Sequence, residues 1–487
     1  MVVKDTYNFY SGNIPINVTI ESKKDEFVLV YNLSVATVSQ STEVILDKIR
    51  DELVTKIRLS IGEITDEKKS ELVKTKFKEN VIFLLNKYLP DLKENVKNFL
   101  VTYIMHKSLG LGKIELLLED KNLEEIVINN ASDPVWVYHH NHGWLKTNIY
   151  LQSEEQIKHF ATIIGRRVGR SISILNPLLD AHLETGDRVN ATLNPISTKG
   201  NTLTLRKFSV KPITITNFII NKSVSVSAAS LIWATVEFEL STLITGGTAT
   251  GKTSFLGAIC GFFQPNQRII SVEDTKELQM PKYLHWIPLL TREPNVEGKG
   301  EISMLDLIIN SLRMRPDRIV VGEIRRQREA ETLFEAMHTG HSVYATLHAN
   351  DTNETINRLI NPPINVPKTL LPAISAIVVM YRNRRTGIRR IYQVSEILND
   401  PDAKFNVLLQ LDLKQDRILT ANKSKRLLPE LELQTGLSEQ EINNNLREKS
   451  LILSWLVKKK IDDVNDIGKV IATYYTNKNT LMKFIKK

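Results

Sequence analysis

Short apolar runs that end in polar or glycine residues recur along the second half of the chain, and helix-like stretches separate them. Four such runs cover residues 241–245, 268–274, 318–323 and 344–349. Each has the length of a buried strand rather than a helix. Because strands alternate with helices, the pattern predicts an α/β domain on a parallel sheet within residues 223–400.

The first half of the chain lacks this regular alternation. Residues 1–105 mix strand-like and helix-like stretches and are expected to form a variable α/β region. Residues 106–222 are expected to form a separate α/β domain that ends in a linker. Within it, strands at 188–193 and 202–206 flank turn-forming residues and predict a hairpin.

Alternation along this hairpin separates a core face from a polar face. Side chains of a strand point alternately to its two faces, so every second residue is expected in the core. The expected core residues are Val189, Ala191, Leu193, Leu203 and Leu205. Arg188 and Arg206 then fall on the polar faces.

Residues 401–487 are expected to form a basic helical region. Ser438 and Glu441 make a capping box, and apolar residues recur behind them at helical spacing. The region carries 16 Lys and Arg against 11 Asp and Glu, a net charge of +5, and the whole chain carries +9. A basic end can meet an anionic lipid surface, a nucleic acid or an acidic protein, although a solvated face is the simpler interpretation.

Composition limits the class of protein further. The hydrophobic content of 42% over 487 residues is ordinary for a soluble protein. The single cysteine, Cys260, excludes a disulfide framework and a four-cysteine zinc site. We find no signal peptide at the start of the sequence, and its uncharged apolar stretches are shorter than the ~20 residues that span a bilayer. A soluble, cytoplasmic protein with at most peripheral membrane contact is expected.

The loop after the first apolar run carries the strongest chemical signal. Residues 246–253 fit the P-loop pattern G-x-x-x-x-G-K-[ST] between a predicted strand and a predicted helix. Glycines let backbone N–H groups converge on phosphate oxygens at the positive end of that helix. Lys252 is expected to reach the β- and γ-phosphates of a nucleotide, and Thr253 to hold Mg²⁺. The expected nucleotide-binding residues are Gly246, Gly247, Thr248, Ala249, Thr250, Gly251, Lys252, Thr253 and Ser254.

Polar residues end the three later runs. Glu273 and Asp274 follow one, Glu323 ends the next, and His348 lies in the last. The carboxyl ends of parallel strands face the ligand crevice. Phosphoryl transfer to water needs a metal site and a group that orients the water, which Glu273 and Glu323 can supply. Each acid alone would more often be a solvated surface group, but their common position after a P-loop favours function.

These motifs, in this order, resemble those of the hexameric type II/IV secretion, type IV pilus and archaellum ATPases. Residues 246–253 match their Walker A motif, and residues 272–278 resemble their Asp box. Residues 315–325 resemble an atypical Walker B motif that lacks its usual aspartate, and residues 339–349 resemble the His box. Residues 110–120 look like a signature of the archaeal branch. The resemblance implies a RecA-like P-loop NTPase domain, a separate PAS-like α/β N-terminal domain and a helical C-terminal tail.

The resemblance also implies roles for individual residues. Glu273 would polarise the attacking water, with Glu277 as the second candidate. Glu323 would hold Mg²⁺ through water, and His348 would sense the γ-phosphate and link the nucleotide to domain movement. ATP and Mg²⁺ are the implied cofactors.

Three arginines are implied as donors to the phosphates. Arg188 and Arg206 would approach the nucleotide from the N-terminal domain, and Arg292 is a third candidate. A guanidinium fork suits spread negative charge. For each of them, a salt-bridged surface arginine is the alternative.

The family resemblance implies a homohexameric ATPase at the inner face of the cytoplasmic membrane. It would act on a polytopic membrane platform protein and assemble pilin-like subunits into a filament. An archaellum motor is the nearest alternative, and a nucleic-acid translocase is a more distant one. No recognisable DNA-binding module supports the latter, so no specific nucleic acid is expected as a partner. The most basic segment, residues 381–390, is expected to be a hairpin.

Overall fold

Two compact units make up the chain, Met1–Val210 and Lys211–Lys487. The computed structural model describes residues 2–485 except 13, 36–41, 43, 47, 50–51, 54–66, 110, 184, 209–210 and 295–297. Each unit has a sheet and a core of its own. Within the described ranges, no helix combines the length and the apolar character that crossing a membrane requires.

An almost wholly antiparallel sheet is the framework of the first unit. Its strands are β1 (Val2–Ser11), β2 (Ile14–Ser22), β3 (Val30–Val35), β4 (Leu123–Ile128), β5 (Trp136–His139), β6 (Gly143–Thr147), β7 (Leu178–His182), β8 (Arg188–Thr192) and β9 (Thr202–Arg206). They lie in the order β1-β2-β3-β6-β5-β4-β9-β8-β7, and only β3 and β6 pair parallel. The named helices are α1 (Glu67–Tyr88), α2 (Glu94–Leu109), α3 (Lys113–Glu119) and α4 (Glu154–Arg167).

The predicted hairpin is confirmed by the pairing of β8 with β9. Val189 lies opposite Leu205, and Arg188 lies opposite Arg206. All five expected core residues are buried, whereas both arginines are exposed. A buried aliphatic side chain contributes about 1.5–3 kcal/mol, so the apolar face of the hairpin is anchored in the core of the sheet.

The predicted domain boundary between residues 105 and 106 is wrong, because the sheet crosses it. Strand β3 pairs with β6, although more than one hundred residues separate them in sequence. The hydroxyl groups of Tyr7 and Tyr31 also donate to Oδ2 of Asp120, at 2.6 and 2.7 Å. The start of the chain therefore completes the sheet of the first unit.

A mainly parallel sheet is the framework of the second unit. Its strands are β10 (Thr242–Gly246), β11 (Arg268–Glu273), β12 (His285–Leu290), β13 (Arg318–Val321), β14 (Ser342–Leu347), β15 (Ala376–Arg382), β16 (Arg389–Ile397), β17 (Phe405–Asp412) and β18 (Arg417–Thr420). They lie in the order β12-β11-β13-β14-β10-β15-β16-β17-β18. Neighbours from β12 to β15 pair parallel, and those from β15 to β18 pair antiparallel.

Helices cover both faces of this second sheet. They are α5 (Ile215–Ile220), α6 (Val226–Glu237), α7 (Lys252–Cys260), α8 (Met304–Leu312), α9 (Gln327–His338), α10 (Thr352–Ile360), a 3₁₀ helix (Lys368–Ala373), α11 (Leu427–Thr435), α12 (Glu439–Lys458) and α13 (Val464–Ile485). Along β10, Leu243 packs into one buried cluster and Ile244 into another. Burial on both faces explains the unbroken apolar runs of the sequence. The predicted fold class, a P-loop α/β domain with a separate N-terminal α/β domain and C-terminal helices, is confirmed.

The predicted linker at the end of residues 106–222 belongs to the second unit. Ile215 and Phe218 of α5 are buried in its core. The Lys211 ammonium pairs with the Asp462 carboxylate at 2.8 Å. The first unit therefore ends earlier than the sequence predicts.

The prediction that residues 401–487 are helical is wrong for their first part. Strands β17 and β18 form an antiparallel pair that continues the second sheet beyond β16. The capping box farther along is confirmed, because the backbone N–H of Ser438 donates to Glu441 at 2.9 Å. Ile452 and Leu456 of α12 are buried in the core, so this region is part of the second unit.

Candidate nucleotide-binding site

The loop between β10 and α7 has a conformation that requires glycine at two positions. Gly251 caps α7 with a φ of +90°, a region that side chains other than glycine rarely adopt. At Gly246, where φ is +152°, an added Cβ would lie 2.5 Å from the carbonyl oxygen of Met380. The unpaired N–H groups of the first turn of α7 adjoin this loop. The loop therefore offers N–H donors and a helix N-terminus to a phosphate.

The Lys252 side chain lies folded against the loop. Its Nζ donates to the carbonyl oxygen of Gly247 at 3.0 Å and to Nδ1 of His348 at 3.3 Å. The Thr250 hydroxyl donates to the same carbonyl at 2.9 Å. Burial lowers the pKa of Lys252, and the charge of Glu323 opposes that shift. Both acceptors of the ammonium are neutral groups that a phosphate oxygen can replace.

The other predicted phosphate-binding residues surround this lysine. Thr248, Ala249 and Ser254 are exposed, and Thr253 is half-buried at the start of α7. A hydroxyl at that position can ligate a metal ion that is bound to the β- and γ-phosphates. The structure thus brings the predicted P-loop residues together at the end of β10, in the loop that follows it and in the first turn of α7.

Glu273 ends β11 and is almost fully buried. Its Oε1 accepts hydrogen bonds from the backbone N–H groups of Glu277 and Leu278, both at 3.0 Å. Within the described part of the chain, Oε2 has no hydrogen-bond partner. Burial raises the pKa of Glu273 to about 7, although the two N–H groups lower it. One oxygen is therefore held in place by the backbone, and the other is buried without a partner among the described residues.

Glu277, the second candidate, is placed differently. Its side chain is exposed, and its backbone N–H is one of the donors that hold Glu273. Its charge also opposes the lowered pKa of Lys252. Glu277 therefore lies beside the P-loop, but burial does not prepare its carboxylate as it prepares that of Glu273.

Glu323 follows β13 and pairs with a cation on the same segment. Its Oε2 accepts a hydrogen bond from Nε of Arg325 at 2.8 Å, and Nη1 of Arg325 contacts Oδ2 of Asp274 at 2.5 Å. The sequence predicts no role for Arg325. The sequence feature that could have indicated its role is its position two residues after Glu323, in the loop that follows β13. One guanidinium thus joins the polar ends of β11 and β13.

His348 connects the P-loop to Glu323. Lys252 donates to its Nδ1, so the ring proton is assigned to Nε2, which donates to Oε1 of Glu323 at 3.3 Å. Burial and the neighbouring Lys252 charge lower the pKa of His348, which keeps the ring neutral at pH 7. A continuous polar chain therefore runs from Lys252 through His348, Glu323 and Arg325 to Asp274.

The three arginines predicted as phosphate donors lie in different places. Arg188 and Arg206 belong to the first unit, where Nε and Nη2 of Arg188 donate to both carboxylate oxygens of Asp180. Arg292 lies in the second unit, just after β12, and its Nε donates to the carbonyl oxygen of Gly300 at 2.7 Å. The backbone of the loop that contains Arg292 is hydrogen-bonded to the backbone of β11. The guanidinium of Arg292 is bound within its own loop.

The residues at this site fit a nucleotide-bound Mg²⁺ ion. Among the described residues, no cluster of three or more His, Cys, Asp or Glu side chains forms a metal cage. Magnesium needs no such cage, because it is commonly held by one or two protein oxygens together with phosphate oxygens and water. The Thr253 hydroxyl and the Glu323 carboxylate are oxygen donors of the required kind.

Known proteins resemble the part of the chain that carries this site. The family model described as "Type II/IV secretion system protein" matches residues 107–382, more than half of the chain. An uncharacterized protein of Methanocaldococcus jannaschii is 33% identical over 384 residues, which cover 77% of this chain and 69% of the relative. A putative conjugal transfer protein of Mycobacterium tuberculosis is 35% identical over 258 residues, which cover 51% of this chain and 72% of that protein.

A solved structure also aligns with the chain. It is that of the pilus retraction motor PilT with bound ADP, with 18% identity and a TM-score of 0.44. The alignment covers 74% of this chain and 96% of that one. On the strength of the family model and the Methanocaldococcus relative, this chain belongs to the type II/IV secretion system protein family.

Proposed function

We propose that the chain is an Mg²⁺-dependent ATPase. The observation that carries the proposal is the polar chain from the P-loop lysine to the acids at the ends of β11 and β13. These groups come from segments up to about one hundred residues apart, yet hydrogen bonds connect them. Membership of the type II/IV secretion family supports the same activity.

Lys252, Thr253 and Glu323 would bind the reactant. The loop N–H groups and the Lys252 ammonium would hold the β- and γ-phosphates, and Thr253 and Glu323 would hold Mg²⁺, directly or through water. The metal ion, when bound, neutralises phosphate charge. His348 would then lose the hydrogen bond from Lys252 and donate its Nε2–H to the γ-phosphate instead of to Glu323, which gives it the position of a nucleotide sensor.

Glu273 would orient the attacking water and accept its proton. Its unpartnered Oε2 and a pKa of about 7 suit a general base at neutral pH, because such a group is about half ionised there and is still basic. Glu277 is the alternative base. Its carboxylate is exposed, whereas that of Glu273 is buried and held by two backbone N–H groups, so we favour Glu273.

Arginine side chains would neutralise the charge that develops on the phosphates. Arg188 and Arg206 face each other on adjacent strands and concentrate two positive charges on one exposed part of the hairpin. Arg188 would have to leave Asp180 to act in this way, and Arg292 would have to leave Gly300. Arg206 lies opposite Glu125 on β4 and interacts with its charge, but within the described residues no hydrogen bond or salt bridge holds its guanidinium, so it is the arginine that we favour.

We further propose that this ATPase is a homohexameric motor for secretion or for assembly of a type IV pilus-like filament. A polytopic membrane platform protein at the inner face of the cytoplasmic membrane would be its partner. The family match supports this assignment, and the net charge of +5 on residues 401–487 suits contact with anionic lipid. An archaellum motor would use the same site. A nucleic-acid translocase has one observation in its favour, the similarity to a protein named for conjugal transfer.

Steady-state ATP turnover tests these proposals together. Turnover of the purified full chain is measured alone, with anionic liposomes and with single- and double-stranded DNA, and Lys252→Ala serves as the blank. Stimulation by liposomes but not by DNA is expected. Saturable stimulation by DNA alone would replace the membrane motor with a translocase, and turnover equal to the blank would remove the ATPase assignment.

A further inference from the structure

The basic hairpin formed by β15 and β16 brings an arginine to the P-loop. Nε of Arg389, the first residue of β16, donates to the carbonyl oxygen of Ala249 at 3.0 Å. Its Cδ lies 3.7 Å from the position that a Cβ would take on Gly251. A side chain that follows the P-loop by about 140 residues in sequence therefore lies along the outer rim of that loop.

The other arginines of this hairpin are placed differently. Arg390 is buried, and its guanidinium donates to both carboxylate oxygens of Asp416 and to the carbonyl oxygen of Asn221, so it holds the fold together. Arg384 and Arg385 lie exposed in the turn. Arg389 is exposed too, but its Nε is bound to the loop. Within the described residues, its two Nη groups have no partner, so Arg389 is oriented yet retains free donors.

Arg389 lies on the flank of the P-loop opposite the acids. Strand β10 has β14 on one side, with β13 and β11 beyond it, and has β15 on the other side, with β16 beyond it. Glu323 and His348 follow strands of the first flank, whereas Arg389 starts a strand of the second. A nucleotide whose γ-phosphate meets Lys252 and Glu323 extends its ribose and base away from them. That direction leads toward the second flank, where Arg389 lies.

We propose that Arg389 is a nucleotide-binding residue that contacts the nucleoside half of ATP. Its planar guanidinium can stack on a purine ring, and its free Nη groups can donate to ribose or base atoms. The bond from Nε to Ala249 couples this contact to the conformation of the P-loop. The inference rests on the proposed ATP binding and adds a residue that recognises the base, outside the phosphate-binding motif.

Calorimetric binding of three ligands tests the proposal: ATP, ADP and tripolyphosphate, which lacks a nucleoside. Arg389→Ala is expected to lower the affinities for ATP and for ADP by about 10-fold each, which is the scale of one desolvated cation–π contact. The affinity for tripolyphosphate should stay within about 2-fold of the wild-type value. Arg385→Ala removes the same charge from the same hairpin and is expected to change none of the three. Arg389→Lys keeps the charge but not the plane, so it should recover only part of the ATP affinity.

Each outcome decides the matter. An equal loss for tripolyphosphate would assign Arg389 to the phosphates or to loop structure and overturn the proposal, as would unchanged affinities. If Arg389→Ala fails to fold, the ratio of ATP to tripolyphosphate affinity in Arg389→Lys decides, and an unchanged ratio counts against the inference. A wild-type chain that binds neither ATP nor tripolyphosphate would instead remove the proposed function itself.

Discussion

The two units of this protein are both built on nine-stranded sheets, but they arrange their polar residues in different ways. In the second unit, parallel strands end at one common edge, so hydrogen bonds there connect Lys252 of the P-loop with His348 and Glu323 and, through Arg325, with Asp274 beside Glu273. In the first unit, antiparallel neighbours place the start of one strand beside the end of the next, so Arg188 lies among residues of the two adjacent strands, Asp180 and Arg206. A parallel sheet gathers residues from distant segments into one site, whereas an antiparallel sheet presents them in local pairs.

Removal of the P-loop lysine, at the common edge of the parallel strands, should have the largest effect on turnover. Lys252→Ala should reduce ATP turnover by about 1,000-fold or more, because a preorganised charge at the transferred phosphate is lost. Phosphate release is the measurement. Lys414→Ala, in the exposed turn between β17 and β18, is the matched control and should keep full turnover. Normal turnover in Lys252→Ala would show that this edge is not the catalytic one.

Replacement of the buried acid separates chemistry from binding at the same edge. Glu273→Gln keeps the shape of the side chain but removes its basicity, so turnover should fall by about 500-fold while ATP binding persists. Single-turnover hydrolysis and calorimetry measure the two effects. Glu277→Gln is the comparison and should cost much less. A larger loss of turnover in Glu277→Gln than in Glu273→Gln would assign the role of the general base to Glu277.

An arginine of the antiparallel sheet tests whether the first unit contributes to catalysis. Arg206→Ala should lower hydrolysis by about 100-fold and spare ATP binding, since a guanidinium that acts on the transition state adds little in the ground state. Turnover and nucleotide affinity are both measured. Arg166→Ala, an exposed arginine on α4, is the control. If hydrolysis is unchanged in Arg206→Ala, all chemistry belongs to the second unit.

The smallest expected effect concerns the stability of the second unit. Burial raises the pKa of Glu273 from 4.5 to about 7. Between these values the folded carboxyl keeps a proton that the unfolded chain has released, so this residue makes stability fall as the pH rises through the window and level off above it. Relative to Glu273→Gln, the wild type should lose about 2.5 kcal/mol of unfolding free energy between pH 4.5 and pH 7. Unfolding free energy is measured by denaturant titration at each pH. If it changes with pH in the same way in the wild type and in Glu273→Gln, the raised pKa of Glu273 is contradicted.

Local patterns predict much of the second unit and of its site. The strand ends that carry Glu273, Glu323 and His348 are visible because each buried strand is a short apolar run, and parallel topology then brings them together. The hairpin of β8 and β9 is equally visible, since period-two alternation places Val189 and Leu205 in the core.

Pairing between distant segments could not be predicted in this way. The addition of β1 to β3 to the first sheet depends on one parallel pairing with β6, and the extension of the second sheet by β17 and β18 depends on pairing with β16. No local residue pattern encodes either contact. The same applies to Arg389, whose contact with Ala249 follows from the position of β16 in the sheet, whereas Arg325 could be suspected from its spacing to Glu323.

The polar chain at the P-loop has an electrical consequence. Lys252 and Arg325 carry two positive charges, Glu323 and Asp274 carry two negative ones, and the His348 ring between them is neutral. Before a nucleotide binds, the four charges of this network therefore sum to zero, although the whole polypeptide carries a net charge of +9. We expect ATP binding to change the hydrogen-bond partners within this network. That exchange would rearrange the protein surface around the nucleotide.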